Sequence, residues 1–476
     1  MSLPGARAHD RRPEPIAMTR TATRVFDAGP HRLFDLHVAF PDRYPALLES
    51  AARSDALGRY DVLFAFPGLS ITRLHDGRVV ASDGSPVAAS FLDELDRRCA
   101  AEQAGPDASA LPFTGGWLVF LGYELATEIE PTLKLPAARE ATAQAVALRV
   151  PAAAIYDHGA RQLHLLAELG REELLDALER DLKDCPPAPD ETQPALAELL
   201  EDPAEQFIAS VQRVQEHIAA GDVYQVNLSR AWRGRLQQTA NRATGLAPVL
   251  YRALRRANPA PFAASVRLAD QIILSSSPER LFSIRDGEIA TRPIAGTRPR
   301  SREPGADAAE RALLAAHPKE RAEHIMLIDL ERNDLGRVCV AGSVRVDELM
   351  VLESYEHVHH IVSGVRGRLL PGTNAGSVIR AVFPGGTITG CPKVRCMQII
   401  AGLEKEGRGA YTGSLGYLNR DGSGDFNILI RTLSLAGERV TLRAGAGIVA
   451  DSDTVRELAE TRAKARGLLR ALGRDA

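Results

Sequence analysis

The sequence predicts an α+β protein built on antiparallel sheets. Asp-Gly turns recur between short β-rich runs, while amphipathic helices stand apart from them and do not alternate with the strands. Ile71 to Leu74 and Arg78 to Val80 flank Asp76-Gly77, and Leu281 to Ile284 and Ile289 flank Asp286-Gly287. Such pairs favour type I′ hairpins, whose two central residues both take positive φ. Thr432 to Leu435 and Val440 to Leu442 flank Ala436-Gly437 as a third hairpin. A helix starting near Glu205 carries Phe207, Val211, Val214 and Ile218 at helical spacing and stops at Gly221. Pro318 suits the first turn of another, which carries Ile325, Leu327, Ile328 and Leu330. A last helix places Leu458, Ala465, Leu469 and Leu472 on one stripe that can bury.

A chain of 476 residues can bury a large core. Residues 1–24, rich in arginine and proline, read as a disordered tail, with Met18 as an alternative start; an organellar presequence is disfavoured because no apolar face runs through them. Residues 25–183 form an N-terminal subdomain, the Pro- and acid-rich residues 184–204 a linker or surface insertion, and residues 205–476 a second domain. A net charge of -3 provides no basic field for nucleic acid. No apolar run approaches the ~20 residues that span a bilayer. Cys99, Cys185, Cys339, Cys391 and Cys396 are scattered without zinc-ligand spacing, which favours a reducing cytoplasm. Cys391 has no evident base partner nearby, so it reads as a small buried thiol rather than a nucleophile.

Two acidic pairs stand out, Glu320-x-x-Glu323 and Glu457-x-x-Glu460, the second followed by Lys464. At about 100° per residue, Glu457, Glu460 and Lys464 fall within an arc of roughly 60° on one helix. Two helices each offering carboxylates at i, i+3 could close around one hard divalent cation. The alternative is four solvated glutamates, with Lys464 forming an i, i+4 pair.

The surrounding motifs follow in a fixed order. They are Gly221-Asp-Val-Tyr-Gln-Val-Asn-Leu-Ser-Arg230, Ser277-Pro-Glu-Arg280 and Arg292-Pro-Ile-Ala-Gly-Thr-Arg-Pro-Arg300. Glu320-Arg-Ala-Glu-His324, Asp329-Leu-Glu-Arg-Asn-Asp-Leu-Gly-Arg337 and His359-His-Ile-Val-Ser363 come next. Pro384-Gly-Gly-Thr-Ile-Thr-Gly-Cys-Pro-Lys393, Arg443-Ala-Gly-Ala-Gly447 and Glu457-Leu-Ala-Glu-Thr461 complete the series. This order closely resembles the chorismate-utilising enzymes: the large subunits of anthranilate synthase and aminodeoxychorismate synthase, isochorismate synthase and salicylate synthase. Leu47-Leu-Glu-Ser50 and Gly115-Gly-Trp-Leu-Val-Phe-Leu-Gly-Tyr123 resemble the leading region of the two amidotransferase-linked members.

The resemblance implies two antiparallel sheets packed as a sandwich with flanking helices. It assigns Glu320, Glu323, Glu457 and Glu460 to a Mg2+ ion that holds the ring carboxylate of chorismate. Four clustered carboxylates repel one another without a cation, which implies weak metal binding before substrate arrives. Glu279 matches the general acid that protonates the departing C4 hydroxyl, and it needs a raised pKa to do so. His360 matches the histidine near the substrate ring. Strand alternation puts His357 and His359 on the opposite face, against a three-histidine metal site. Tyr411 and Arg431 match the pair that fixes the enolpyruvyl carboxylate, a task suited to a planar guanidinium. Thr387 and Gly445-Ala446-Gly447 line the same pocket, with glycine letting main-chain N–H groups approach an anion; Lys464 adds positive charge.

Water-using members carry a lysine base where this chain has Gln225, and a neutral amide cannot take a proton from water, so the nucleophile expected here is ammonia. Asn227, Val358-His-His-Ile-Val-Ser363 and Thr387-Ile-Thr-Gly390 resemble the aminodeoxychorismate branch. Against them stands Ala295 in Pro-Ile-Ala295-Gly296-Thr297, the form typical of anthranilate synthases, where many aminodeoxychorismate synthases carry a covalent lysine. Either amination reaches C4 without that lysine, or it falls on C2 and yields anthranilate; the branch-specific segments favour C4. No glutaminase elbow is present, so the resemblance implies ammonia from a separate class I glutamine amidotransferase subunit. Leu48, Glu49 and Ser50 resemble a tryptophan-binding element, with an ordinary helix end as the alternative. A non-catalytic amino-acid sensor would have lost Glu279 or the acidic pairs, and all are present.

Overall fold

The computed structural model describes residues 19–52, 58–139, 143–188, 196–237, 245–268, 271–301, 303–354 and 358–474. Among these residues the strands form two antiparallel sheets, one of 12 strands and one of 11. The core between the sheets interleaves Phe64, Ile155 and Ile273 of the first with Leu118, Phe120 and Leu415 of the second. Period-two alternation sends Leu47, Leu63 and Leu274 to the outer face of the first sheet. Helices His31–Ala39, Leu246–Ala257 and Thr454–Ala471 cover that face. On the outer face of the second sheet, Phe282 and Phe426 stack with ring centroids 4.7 Å apart. Helices Phe91–Ala101, Pro318–Gly336 and Ala375–Val382 close over them. The chain therefore forms the α+β sandwich with flanking helices.

All three hairpins form. Asp286 and Gly287 both take positive φ (54° and 72°), as a type I′ turn requires. Asp76 does not. There the Asp76 carboxylate accepts the Arg78 N–H at 3.0 Å and only Gly77 is left-handed, so a side-chain-capped turn replaces the expected one. The Ala204–Ala219 helix buries Phe207, Val211 and Val214, and Gly221 follows it at φ 79°. In Pro318–Gly336, Leu327 and Ile328 are buried but Ile325 faces solvent.

The expected boundaries change. Thr21–Phe26 pairs with Gln162–Glu168, so residues 21–24 belong to the first sheet and not to a tail; residues 1–18 lie outside the described residues. Within the expected linker, Leu196–Glu201 is an edge strand on Gln225–Leu236. Both sheets also cross the division near residue 204. Ala46–Glu49 pairs with Phe262–Leu268, and Gly116–Leu121 pairs with Ser414–Asn419. These long-range pairings leave the C-terminal segment with open sheet edges whenever the N-terminal one is missing. Residues 205–476 expressed alone should therefore show no cooperative thermal transition by circular dichroism. A sharp melt would establish that segment as an independent domain.

Candidate functional site

The site lies where the chain passes between the two sheets. Gln271–Ser277 ends in the first sheet and Arg280–Arg285 begins in the second, which leaves Ser277-Pro278-Glu279 at the crossing. Gly424–Ile428 and Thr432–Ala436 cross back, with Arg431 at φ 51° between them. Two charged side chains thus project from the two crossovers. Glu279 is 5% exposed and its Oε1 accepts the Thr387 hydroxyl at 2.8 Å. Burial raises its pKa to about 7, against the pull of Thr387, the Ile294 N–H, Lys464 and Arg431. Burial also lowers the pKa of Arg431, an effect Glu279 opposes. The Arg431 guanidinium has neither ion pair nor hydrogen bond among the described residues. A half-buried cation left in that state is suited to receive an anion.

One wall is the ladder between Gln225–Leu236 and Arg439–Ile448, with Asn227 opposite Gly447, Leu228 opposite Ala446 and Ser229 opposite Gly445. A Cβ at Gly445 would come within 2.8 Å of the Asn227 amide oxygen and the Tyr411 hydroxyl, and one at Gly447 would overlap the Gln225 amide. These glycines make room for neighbouring side chains to lie across the strand, a role additional to the close anion approach expected of them. The Asn227 amide donates to the Thr387 carbonyl at 3.4 Å. Burial raises the Tyr411 pKa to about 12, so the phenol stays protonated and able to donate.

The opposite wall is Ile294–Pro299 paired with Val358–Arg368, where Ala295 faces Ile361 and Thr297 faces His360 across a bulge. Gly296, at φ 73°, forms that bulge; a Cβ there would meet the Glu320 carboxylate at 2.8 Å. His360 is 2% exposed and directs a ring N–H to the Gly296 carbonyl. Burial, with Arg431 assisting, lowers its pKa to about 3, so this ring is neutral at working pH. His359 turns away to Ser354 Oγ at 2.7 Å and Asp307 Oδ1 at 3.0 Å, as strand alternation requires. His357 lies outside the described residues, as does the side chain of Thr297.

The acidic pairs approach from two helices. Glu320 reaches the Gly296 bulge. On Thr454–Ala471, Glu457 is buried and Glu460 binds Lys464 Nζ at 2.7 Å, while the same ammonium donates to the Gly445 carbonyl at 3.0 Å. Among the described residues no three His, Cys, Asp or Glu side chains are grouped to hold a metal ion. The expected four-carboxylate cage is thus not closed here, and the i, i+4 pair of the alternative reading is formed. The donors are hard oxygens of the kind Mg2+ takes, on either side of the pocket. Sequence reasoning missed Glu331, on the same helix as Glu320. Burial and the nearby Asp334 raise its pKa to about 8, and Asp334 binds Lys393 at 2.7 Å.

Leu48, Glu49 and Ser50 do not join this pocket. They line a second cavity of about 1030 Å³, together with Tyr60, Asp107 and Tyr417. Glu49 ends a strand and Ser50 follows it, so the helix end of the alternative reading is a strand end instead. Ser50 Oγ is satisfied by the Tyr60 carbonyl at 3.2 Å, and Glu49 by Tyr251 and Arg255 at 2.7 and 2.6 Å.

Comparison with known proteins places this geometry among relatives. The sequence pattern of a family described as chorismate binding enzyme matches residues 67–470. Anthranilate synthase component 1 of Streptomyces coelicolor is 38% identical, over 91% of this chain and 84% of its own length. Aminodeoxychorismate synthase component 1 of Klebsiella aerogenes is 37% identical, over 90% and 93%. The crystal structure of anthranilate synthase component I from Streptococcus pneumoniae superposes with a TM-score of 0.76 at 31% identity, covering 86% of this chain and 92% of that one.

The folded protein holds the Glu279 proton more tightly than the unfolded chain does, so stability falls as pH rises from the unfolded value of 4.5 through about 7. Glu279→Gln removes that cost and should stabilise the protein at pH 8, by on the order of 3 kcal/mol, with little effect at pH 4. Urea unfolding at the two pH values measures this. Equal effects at both would mean that Glu279 titrates as an ordinary carboxyl.

Proposed function

The chain belongs to the chorismate-binding enzyme family, and from that premise we propose that it aminates chorismate with ammonia to give 4-amino-4-deoxychorismate. The observation that carries this is Glu279, a buried carboxyl with a pKa near 7, set near Arg431, whose guanidinium has no hydrogen bond or ion pair among the described residues. Arg431 and the Tyr411 hydroxyl receive the enolpyruvyl carboxylate, and Lys464 adds positive charge for the ring carboxylate beside Gly445 and Gly447. Glu279 gives its proton to the C4 hydroxyl as the C–O bond breaks, so water rather than hydroxide leaves. Thr387 orients that acid, and neutral His360 packs against the ring. The new C–N bond forms from ammonia, whose surplus proton returns to the Glu279 carboxylate. Gln225 supplies no base for water, which supports ammonia as the nucleophile. Asn227 lies beside it across from Gly447.

Glu320, Glu323, Glu457 and Glu460 would hold Mg2+, which when bound neutralises the ring carboxylate and fixes its position. Ammonia would come from a class I glutamine amidotransferase subunit, and the 1030 Å³ cavity would take tryptophan. A second reading, anthranilate synthesis by amination at C2, is favoured by Ala295 and by relatives of that name at similar identity. Under both readings Ala295 forms no covalent adduct.

Purified protein given Mg2+, ammonium and chorismate should consume chorismate without any amidotransferase. It should release a product that becomes 4-aminobenzoate only when a lyase is added. Direct appearance of fluorescent anthranilate would replace the lead reading with the second. Glu320→Gln and Glu460→Gln should abolish turnover, and unchanged activity would remove the metal assignment. Calorimetric titration with tryptophan should give saturable heat that Ser50→Phe eliminates, and no heat in the parent protein would vacate the cavity.

A further inference from the structure

Behind the Asn227, Thr387 and Tyr411 wall lies a buried ion network that none of the assigned chemistry uses. Arg408 and Glu404, four residues apart, pair at 2.7 Å with side chains 1% and 2% exposed. The guanidinium uses every donor it has. Nε and one Nη2 hydrogen go to the two Glu404 oxygens, at 3.0 and 2.7 Å. The other Nη2 hydrogen goes to the Asn227 carbonyl at 2.8 Å, and Nη1 serves the Ile388 carbonyl and Thr412 Oγ1 at 3.1 and 3.3 Å. The face of the guanidinium lies 4.9 Å from the Tyr123 ring centre and 5.6 Å from that of Tyr411. Glu404 in turn accepts the Ser229 N–H and hydroxyl at 2.8 and 2.9 Å and Arg443 Nη2 at 2.8 Å. Burial alone would raise the Glu404 pKa, but Arg408 and Arg443 outweigh it and hold the carboxyl below its ordinary range.

We infer that Arg408, clamped by Glu404, is the positioning residue that sets the substrate-facing wall of the pocket. The four segments it ties together directly or through Glu404 are those that present Asn227, Thr387, Tyr411 and Gly445. The Asn227 and Ile388 segments are held by their carbonyls, the Tyr411 segment by its ring and the Thr412 hydroxyl, and the Gly445 segment through Arg443, so the clamp uses none of the Asn227, Thr387 or Tyr411 side-chain polar atoms. A point charge could not replace the planar fork, because three carbonyl or hydroxyl partners and a bidentate carboxylate need five donors in one plane. The consequence reaches Glu279 through one covalent step. Ile388 adjoins Thr387, and the Thr387 hydroxyl is the foremost of the influences that lower the Glu279 pKa against burial, ahead of the Ile294 N–H, Lys464 and Arg431.

The inference rests on the chorismate reading for its kinetic consequence but not for its structural one, so two measurements separate them. Arg408→Lys keeps the charge and loses the fork. It should raise KM for chorismate on the order of tenfold or more, with a smaller loss in kcat. The Glu279 carboxyl, followed by carbon-13 NMR with Glu279→Gln identifying the signal, should titrate higher in Arg408→Lys than in the parent. Glu404→Gln should do the same to a lesser degree, and it decides the matter if Arg408→Lys fails to fold. An unchanged Glu279 midpoint in a folded variant overturns the positioning role. If the parent consumes no chorismate, the reaction assignment falls, while the shift in the Glu279 midpoint still tests the clamp.

Discussion

Withdrawing the Glu279 carboxyl from water costs free energy that the surrounding dipoles and charges only partly offset, and the pocket is arranged around that imbalance. Thr387 and the Ile294 N–H stabilise the ionised form, and Lys464 and Arg431 add positive potential, yet burial still prevails and the acid holds its proton to about pH 7. A closer cation would pin it as a carboxylate with no proton to give. A wholly apolar site would keep it protonated but too weak an acid to protonate a leaving group. Its position at the passage between the sheets supplies the intermediate case, with the sandwich core on one side and polar main chain on the other.

That position explains why the N-terminal segment is part of the site without contributing a residue to the reaction. Glu279 is dry because both sheets are complete around it, and both are completed by strands from the N-terminal segment, the last of them Gln162–Glu168. Phe262–Leu268 would be a sheet edge without Ala46–Glu49, one strand away from Gln271–Ser277. Fraying of that edge would loosen one of the two partners of the strand that leads to Glu279, the other being Thr432–Ala436.

The period-two runs, the Asp-Gly turns and the amphipathic helices were legible because they are local. Asp286-Gly287 and Phe207-x-x-x-Val211 carry their own geometry. The pairing of residues 46–49 with residues 263–266 has no local signature, so the chain read as two domains where the sheets make one body. Site residues such as Glu279, Tyr411 and Arg431 came from resemblance to a family, because Ser-Pro-Glu alone is an ordinary turn. Arg408 and Glu404 went unread for a different reason. At i, i+4 near a helix end they have the spacing of a surface ion pair, and only burial separates a clamp from a solvated contact. The acidic pairs show the same limit. Spacing puts two carboxylates on one helix face but cannot give the distance to the next helix.

The charges in the pocket also say how occupancy acts on the acid. Arg431 is a cation with no partner among the described residues, and its pKa is lowered because burial disfavours its charge. A bound carboxylate relieves that strain by neutralising the guanidinium. The same anion withdraws from Glu279 part of the positive potential that Arg431 supplies and adds negative potential of its own. Both effects disfavour the Glu279 carboxylate and raise its pKa above the empty-pocket value. The substrate expected here carries two carboxylates, so under the proposed reaction its arrival secures the proton that Glu279 lends to the leaving hydroxyl.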